Sequence, residues 1–103
     1  MKKKSTKIRN LEKNRYSIIT DDLTTCFICG MTKEALHEVF YGNNRVNSMI
    51  YGCVIPLCTH CHTKIHNDLV LDLRMKRLLE RAFLDVYECD IDYFRKIFYI
   101  NYL

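Results

Sequence analysis

Cys26 and Cys29 stand two residues apart, and Cys58 and Cys61 repeat that spacing. Thiolates at i and i+3 around a tight turn supply two of the four ligands that zinc takes in a tetrahedron, and two such turns close a site. His62 and His66 follow the second pair at once. Four apart on a helix, they point the same way and can hold a second metal. The run from Cys58 to His66 therefore sets a structural knot beside a reactive metal, which suggests a small metal-dependent nuclease.

Between the two pairs, 28 residues separate Cys29 from Cys58. That interval exceeds the about 15–20 residues of a simple zinc ribbon and leaves room for a hairpin whose ends the metal would clamp. His37 lies within it. If its strand packs on the helix of His62 and His66, three imidazoles converge on one ion and leave positions open for water and phosphate. A single His is usually a surface residue or a satisfied core residue, so the placement around the knot carries the argument. Four unrelated cysteines, or two disulfides, are the competing readings of the pairs. Cys53 and Cys89 are left over in the zinc reading.

Several short elements must position these residues. Cys26-Phe-Ile-Cys29-Gly30 reads as a knuckle, with Gly where the backbone bends past the metal. Residues 36–41 and 50–57 are strand candidates, with Gly42-Asn43-Asn44 as a turn or loop between them and Pro56 marking an end or an edge. A short helix runs from Cys58 to about His66. Asn67-Asp68 can cap a helix over 69–86, in which Leu71, Met75, Leu78, Leu79, Ala82 and Val86 share a face. Arg74, Lys76, Arg77, Glu80 and Arg81 fall mostly on its other faces. Asp90 can cap a last helix that turns Ile91, Phe94, Ile97 and Phe98 to one side. Both C-terminal helices read as packing elements.

At 103 residues the chain has room for one domain with a modest core, a size at which a metal often helps. No apolar run reaches membrane-span length, and no apolar stretch follows the basic N-terminus as in a secretory signal. Reduced thiolates in a cytoplasmic compartment are the expectation. The net charge of +4 is uneven. Residues 1–15 carry seven Lys or Arg against the single acid Glu12, whereas 16–103 carry nine basic and eleven acidic residues. The first 15 residues form a basic arm, suited either to a phosphate backbone or to a solvated tail. Residues 16–103 read as one domain, with a core near 23–67 and a helical extension over about 68–103.

The elements Cys26-x2-Cys29, Leu36-His37-Glu38-Val39-Phe40-Tyr41-Gly42, Arg45, Ser48, Tyr51-Gly52 and Pro56-Leu57-Cys58-x2-Cys61-His62, then His66, together resemble the HNH endonuclease superfamily. More narrowly they are similar to small phage-encoded HNH proteins, and the ending Phe94-Arg95-Lys96-Ile97-Phe98 with Asn101-Tyr102-Leu103 looks like that group's. The resemblance implies an α+β fold: a small ββα-metal core with a four-cysteine zinc knot, a basic N-terminal arm and two C-terminal helices. It implies that His37, His62 and His66 hold a catalytic divalent ion. Glu38 falls where most such enzymes carry the water-activating His. A carboxylate with an ordinary pKa of about 4.3 is a weaker base near neutrality unless burial raises it. His60 is the other candidate base. Cys53 stands where the family usually has its middle Asn.

The resemblance further implies hydrolysis of DNA to 5′-phosphate and 3′-hydroxyl ends, with Mg²⁺ or Mn²⁺ in the cell of a bacterial host. An all-imidazole site also takes Zn²⁺ or Ni²⁺. Arg45 is placed to clamp a neighbouring phosphate, with an exposed loop Arg as the plain alternative, and the helix N-terminus near Cys61 and His62 adds a favourable dipole. No recognition helix is legible, so cutting is expected with little sequence preference, and a targeting or recombination protein could direct it. Two rival readings stand beside this one. The first is a non-catalytic nucleic-acid-binding zinc module with a degenerate site. The second is a zinc-stabilised protein-interaction domain.

Overall fold

The computed structural model describes residues 5–103. Lys2, Lys3 and Lys4 of the basic arm lie outside the described residues. The chain forms a small α+β domain of one two-stranded sheet and, among the described residues, five α-helices. These are α1 (Thr6–Lys13), β1 (Ala35–Glu38), α2 (Arg45–Ile50), β2 (Val54–Leu57), α3 (Thr59–Asn67), α4 (Leu69–Val86) and α5 (Ile91–Phe98), with a 3-10 turn at Gly42–Asn44 leading into α2.

The strands pair antiparallel, with Ala35 opposite Leu57, His37 opposite Ile55 and Glu38 opposite Val54. Both are shorter than the sequence suggests, for reasons that lie in their side chains. Ser48 Oγ accepts from the Phe40 amide at 3.2 Å and donates to the Phe40 carbonyl at 2.7 Å. That consumes both backbone groups of Phe40 and ends the first strand. Beyond the turn, residues 45–50 wind into α2 instead of extending. Gly52 reverses the chain at φ +73° and the Cys53 amide donates to the Ser48 carbonyl, so the second strand begins only at Val54.

The two C-terminal helices form where the apolar periodicity places them. Asp68 accepts from the amides of Val70 and Leu71 at the start of α4, and Asp90 from that of Tyr93 at the start of α5. Phe83, Phe94 and Phe98 meet Phe40 in a fully buried aromatic cluster. Glu80 and Val86 on α4 depart from the positions that periodicity assigns them. Glu80 is fully buried because it accepts the Tyr102 amide at 2.7 Å, which fastens the C-terminal tail. Val86, at the last turn, is exposed.

The described part of the basic arm forms α1. Ser5 caps α1 by accepting from the Ile8 amide, and α1 packs against α2. Among the described residues no helix is long and apolar enough to cross a membrane.

Candidate metal centre

The first knuckle is a tight loop closed by the Thr25–Thr32 bridge. The Cys26 amide donates to the Met31 carbonyl at 2.7 Å, and the Gly30 amide to the Cys26 carbonyl at 3.0 Å. Gly30 takes φ +80°, the left-handed conformation that glycine adopts without cost. The Phe27 amide donates to the Pro56 carbonyl, so the knuckle leans on β2. The second knuckle lies where β2 becomes α3. Cys58 is the N-cap of α3, its Sγ accepting from the Cys61 amide at 3.4 Å.

Cys26, Cys29, Cys58 and Cys61 thereby converge, with all their Sγ atoms within 4.8 Å of one another. The Cys29 and Cys58 sulfurs are 3.6 Å apart. A disulfide would need about 2.05 Å. A tetrahedron of about 2.3 Å zinc–sulfur bonds has edges near 3.8 Å. All six cysteines are free thiols, and four form a cluster that could hold a structural metal such as zinc. Burial raises the Cys26 thiol, but the amides of Cys29, Cys58 and Ile28 outweigh it and bring it down to about 6. Burial and the neighbouring thiols push Cys61 up instead. Four thiols this close cannot all ionise without a cation to offset them, and a metal ion supplies one. Cys53 lies outside the group. It is fully buried, and burial pushes its thiol up to about 12, as befits an inert core residue.

The second cluster sits on the other side of the sheet-to-helix junction. α3 turns Cys61 and Ile65 into the core, while His62 and His66, one helical turn apart, face β1. There they meet His37. Ring centroids are separated by 5.1 Å between His37 and His62, 5.2 Å between His37 and His66, and 5.1 Å between His62 and His66. One ring nitrogen from each lies within 4.8 Å of the others. His37 is 2 % exposed, and its Nε2 is buried with no hydrogen-bond partner among the described residues. A buried nitrogen without a partner is costly in a protein alone, and a ligated ion removes that cost. Burial, then the charges of His62, His66 and Lys76, hold His37 down to about 3. Burial and His66 also lower His62, against a smaller upward pull from Glu38. Neutral imidazoles are the form that ligates a metal. The donor set therefore fits an ion on both counts.

The other sequence candidates are not part of the imidazole group. Glu38 ends β1 next to His37, but its Oε1 is 3.0 Å from Arg15 and 3.3 Å from Arg45. Arg45, expected as a free phosphate clamp, is paired with Glu12 as well as Glu38. Its guanidinium is thus engaged in ion pairs, although the side chain is 33 % exposed. His60 is exposed and lies about 200° around the helix axis from His62, away from the imidazole group. The start of α3 is also occupied. Glu34 accepts from the Thr59 amide at 3.3 Å and the Thr59 hydroxyl at 2.6 Å, and Cys58 takes the Cys61 amide. The Thr59 contacts hold the Glu34 carboxyl below its usual range.

Tyr41 is a neighbour that sequence reasoning left without a role. Its ring lies 5.1 Å from that of His66 and 5.9 Å from that of His37. Its hydroxyl donates to Asp72 at 3.2 Å, Asp72 pairs with Lys76 at 2.7 Å, and Lys76 lies 4.4 Å above the Tyr41 ring. This chain steadies the wall of the histidine cluster from α4. The signal available in the sequence was an aromatic residue four positions after His37, just before a glycine. Comparison with family models, curated proteins and solved structures finds no match to this chain.

Proposed function

We infer that this protein is a metal-dependent endonuclease of HNH type, acting on DNA phosphodiester bonds with little sequence preference. The observation that carries the reading is His37: a buried imidazole with an unpartnered Nε2, facing His62 and His66 across a sheet-to-helix junction that a four-thiol cluster fastens. The antiparallel pair β1–β2, with α2 in its connection, followed directly by α3 supports this reading. Cys26, Cys29, Cys58 and Cys61 would hold zinc as scaffold. His37, His62 and His66 would hold Mg²⁺ or Mn²⁺, which when bound stabilises charge on the phosphate oxygens.

The protein's own part is positional. The sheet register aims His37 at α3, the helical repeat brings His62 and His66 to one side, and Tyr41 covers the flank. Glu38 is the carboxylate nearest the group on its own strand, so it is the candidate to orient or accept a proton from water. Its pairing with Arg15 and Arg45 supports the second reading, a nucleic-acid-binding zinc module without cleavage.

A plasmid-nicking assay with Mg²⁺ or Mn²⁺ separates the two readings. Nicking that His62→Ala abolishes supports the endonuclease. Glu38→Ala then tells whether the carboxylate serves the chemistry. Duplex binding without any metal-dependent nicking would falsify the enzyme reading and leave the binding module.

A further inference from the structure

The N-terminal helix carries the structural observations furthest. Glu12, the one acid in the first fifteen residues, is turned inward. Arg15 lies 3.2 Å from it, and Arg45 pairs with it too. The same two guanidiniums lie 3.0 and 3.3 Å from Glu38. Two carboxylates and two guanidiniums interlock and join α1 and the turn after it to β1 and α2. The next residues hold the same position. The Tyr16 hydroxyl donates to the Ile50 carbonyl at 2.6 Å, and the Ile18 amide to the Gly52 carbonyl at 2.9 Å.

This attachment sorts the charges of α1. Ile8, Leu11 and Glu12 are half-buried, whereas Lys7, Arg9 and Lys13 are exposed. Every charged side chain that α1 exposes is basic, and Lys2, Lys3 and Lys4 precede it in the chain. A free tail would spread these charges over many orientations. Here the helix has a fixed bearing, and one of its anchors, Glu38, is the residue next to His37.

We propose that α1 is the surface on which the sugar-phosphate backbone of a nucleic-acid duplex docks, and that Glu12, Arg15, Glu38 and Arg45 are positioning residues that hold it in line with the histidine cluster. The choice of ligand rests on the endonuclease reading and on charge complementarity. The role of the ion pairs rests on their geometry. Glu38 and Arg45 thus serve the site through α1.

The test is duplex binding by the full chain, monitored by fluorescence anisotropy with a labelled duplex, without added divalent metal, across a salt series. Lys7→Ala/Lys13→Ala changes only exposed side chains. It is expected to weaken binding about tenfold near 0.1 M salt and to flatten the log–log salt slope by about 1.8. An unchanged slope and affinity would overturn the docking surface. Glu12→Gln separates fixed bearing from charge alone, because it keeps every lysine and makes the protein more positive. Docking predicts binding about threefold weaker, with faster hydrogen exchange along α1, whereas a mere charged tail would bind more tightly by counterion release. Tighter binding by Glu12→Gln overturns the positioning role. Failure of the endonuclease reading looks different: the lysine-dependent binding persists and no nicking occurs.

Discussion

The carboxylate of Glu38 lies 3.0 Å from the guanidinium of Arg15, with side-chain exposures of 12 % and 17 %. A residue that adjoins the histidine cluster is thereby tied to the chain ahead of the first knuckle. At this degree of burial, removing one partner leaves a charge poorly solvated, so such a pair is costlier to break than an exposed one. The relationship makes the N-terminal segment part of the domain, and it gives Glu38 an electrostatic task besides any chemical one.

Zinc on the four thiols predicts a sharp contrast between two cysteines. Cys29 is exposed and contributes little packing, so Cys29→Ser isolates its part in the metal site. Metal analysis is expected to show zinc lost, and urea unfolding a stability loss of at least about 3 kcal/mol. Cys53→Ala removes a fully buried thiol outside the cluster and is expected to keep the zinc. Equal zinc content in wild type and Cys29→Ser would contradict the assignment.

His37 predicts an acid-side loss of stability in the protein without an ion at the histidines. Its folded pKa is held down to about 3 from an ordinary 6.5, chiefly by burial. Above pH 6.5 the side chain is neutral folded and unfolded, and the stability is fully present. Below it the unfolded chain takes up a proton that the folded one refuses, so stability falls as pH drops toward 3, by up to about 1.4 kcal/mol per pH unit. Acid also strips thiolates from zinc, so the quantity to measure is the difference between wild type and His37→Gln in urea unfolding from about pH 8 to about pH 5. A difference that stays flat below pH 6.5 would show that His37 protonates freely.

Ser48 predicts a stability effect with no change in metal content. Its hydroxyl serves both backbone groups of Phe40 at a fully buried position. Ser48→Ala leaves a buried amide and carbonyl unpaired and is expected to cost about 1–3 kcal/mol. Thermal unfolding reads the loss, and zinc stoichiometry is expected to stay that of the wild type.

Gly52 predicts that the N-terminal segment detaches when its seat is filled. A Cβ there would lie 2.4 Å from the Tyr16 ring and 2.9 Å from Ile18, at a φ of +73°. Gly52→Ala is therefore expected to cost roughly 1–2 kcal/mol from backbone strain alone and to displace Tyr16. Amide exchange checks this directly, since the Ile18 amide that donates to the Gly52 carbonyl should lose protection. Protection equal to wild type would mean that the segment adapts without releasing.

What the sequence determined was the chemistry whose cause is local. Thiols three apart around a turn, imidazoles one helical turn apart, the apolar stripe over 69–86 and the caps Asp68 and Asp90 follow from backbone geometry within a few residues. The convergence of His37 on His62 and His66 was legible only as a condition, that the strand pack on the helix. Tertiary structure decided the rest, because those outcomes depend on partners distant along the chain. Arg45 reads locally as a loop cation, yet Glu12 and Glu38 engage it across the fold. Glu80 lies among charged residues on α4, yet the Tyr102 amide makes its burial tolerable. Residues 45–50 read as hairpin, yet Ser48 and Gly52 close them into a helix. Periodicity reports which face of an element is apolar. It does not report which distant charge meets which, and at this site those meetings determine what Glu38 and Arg45 are free to do.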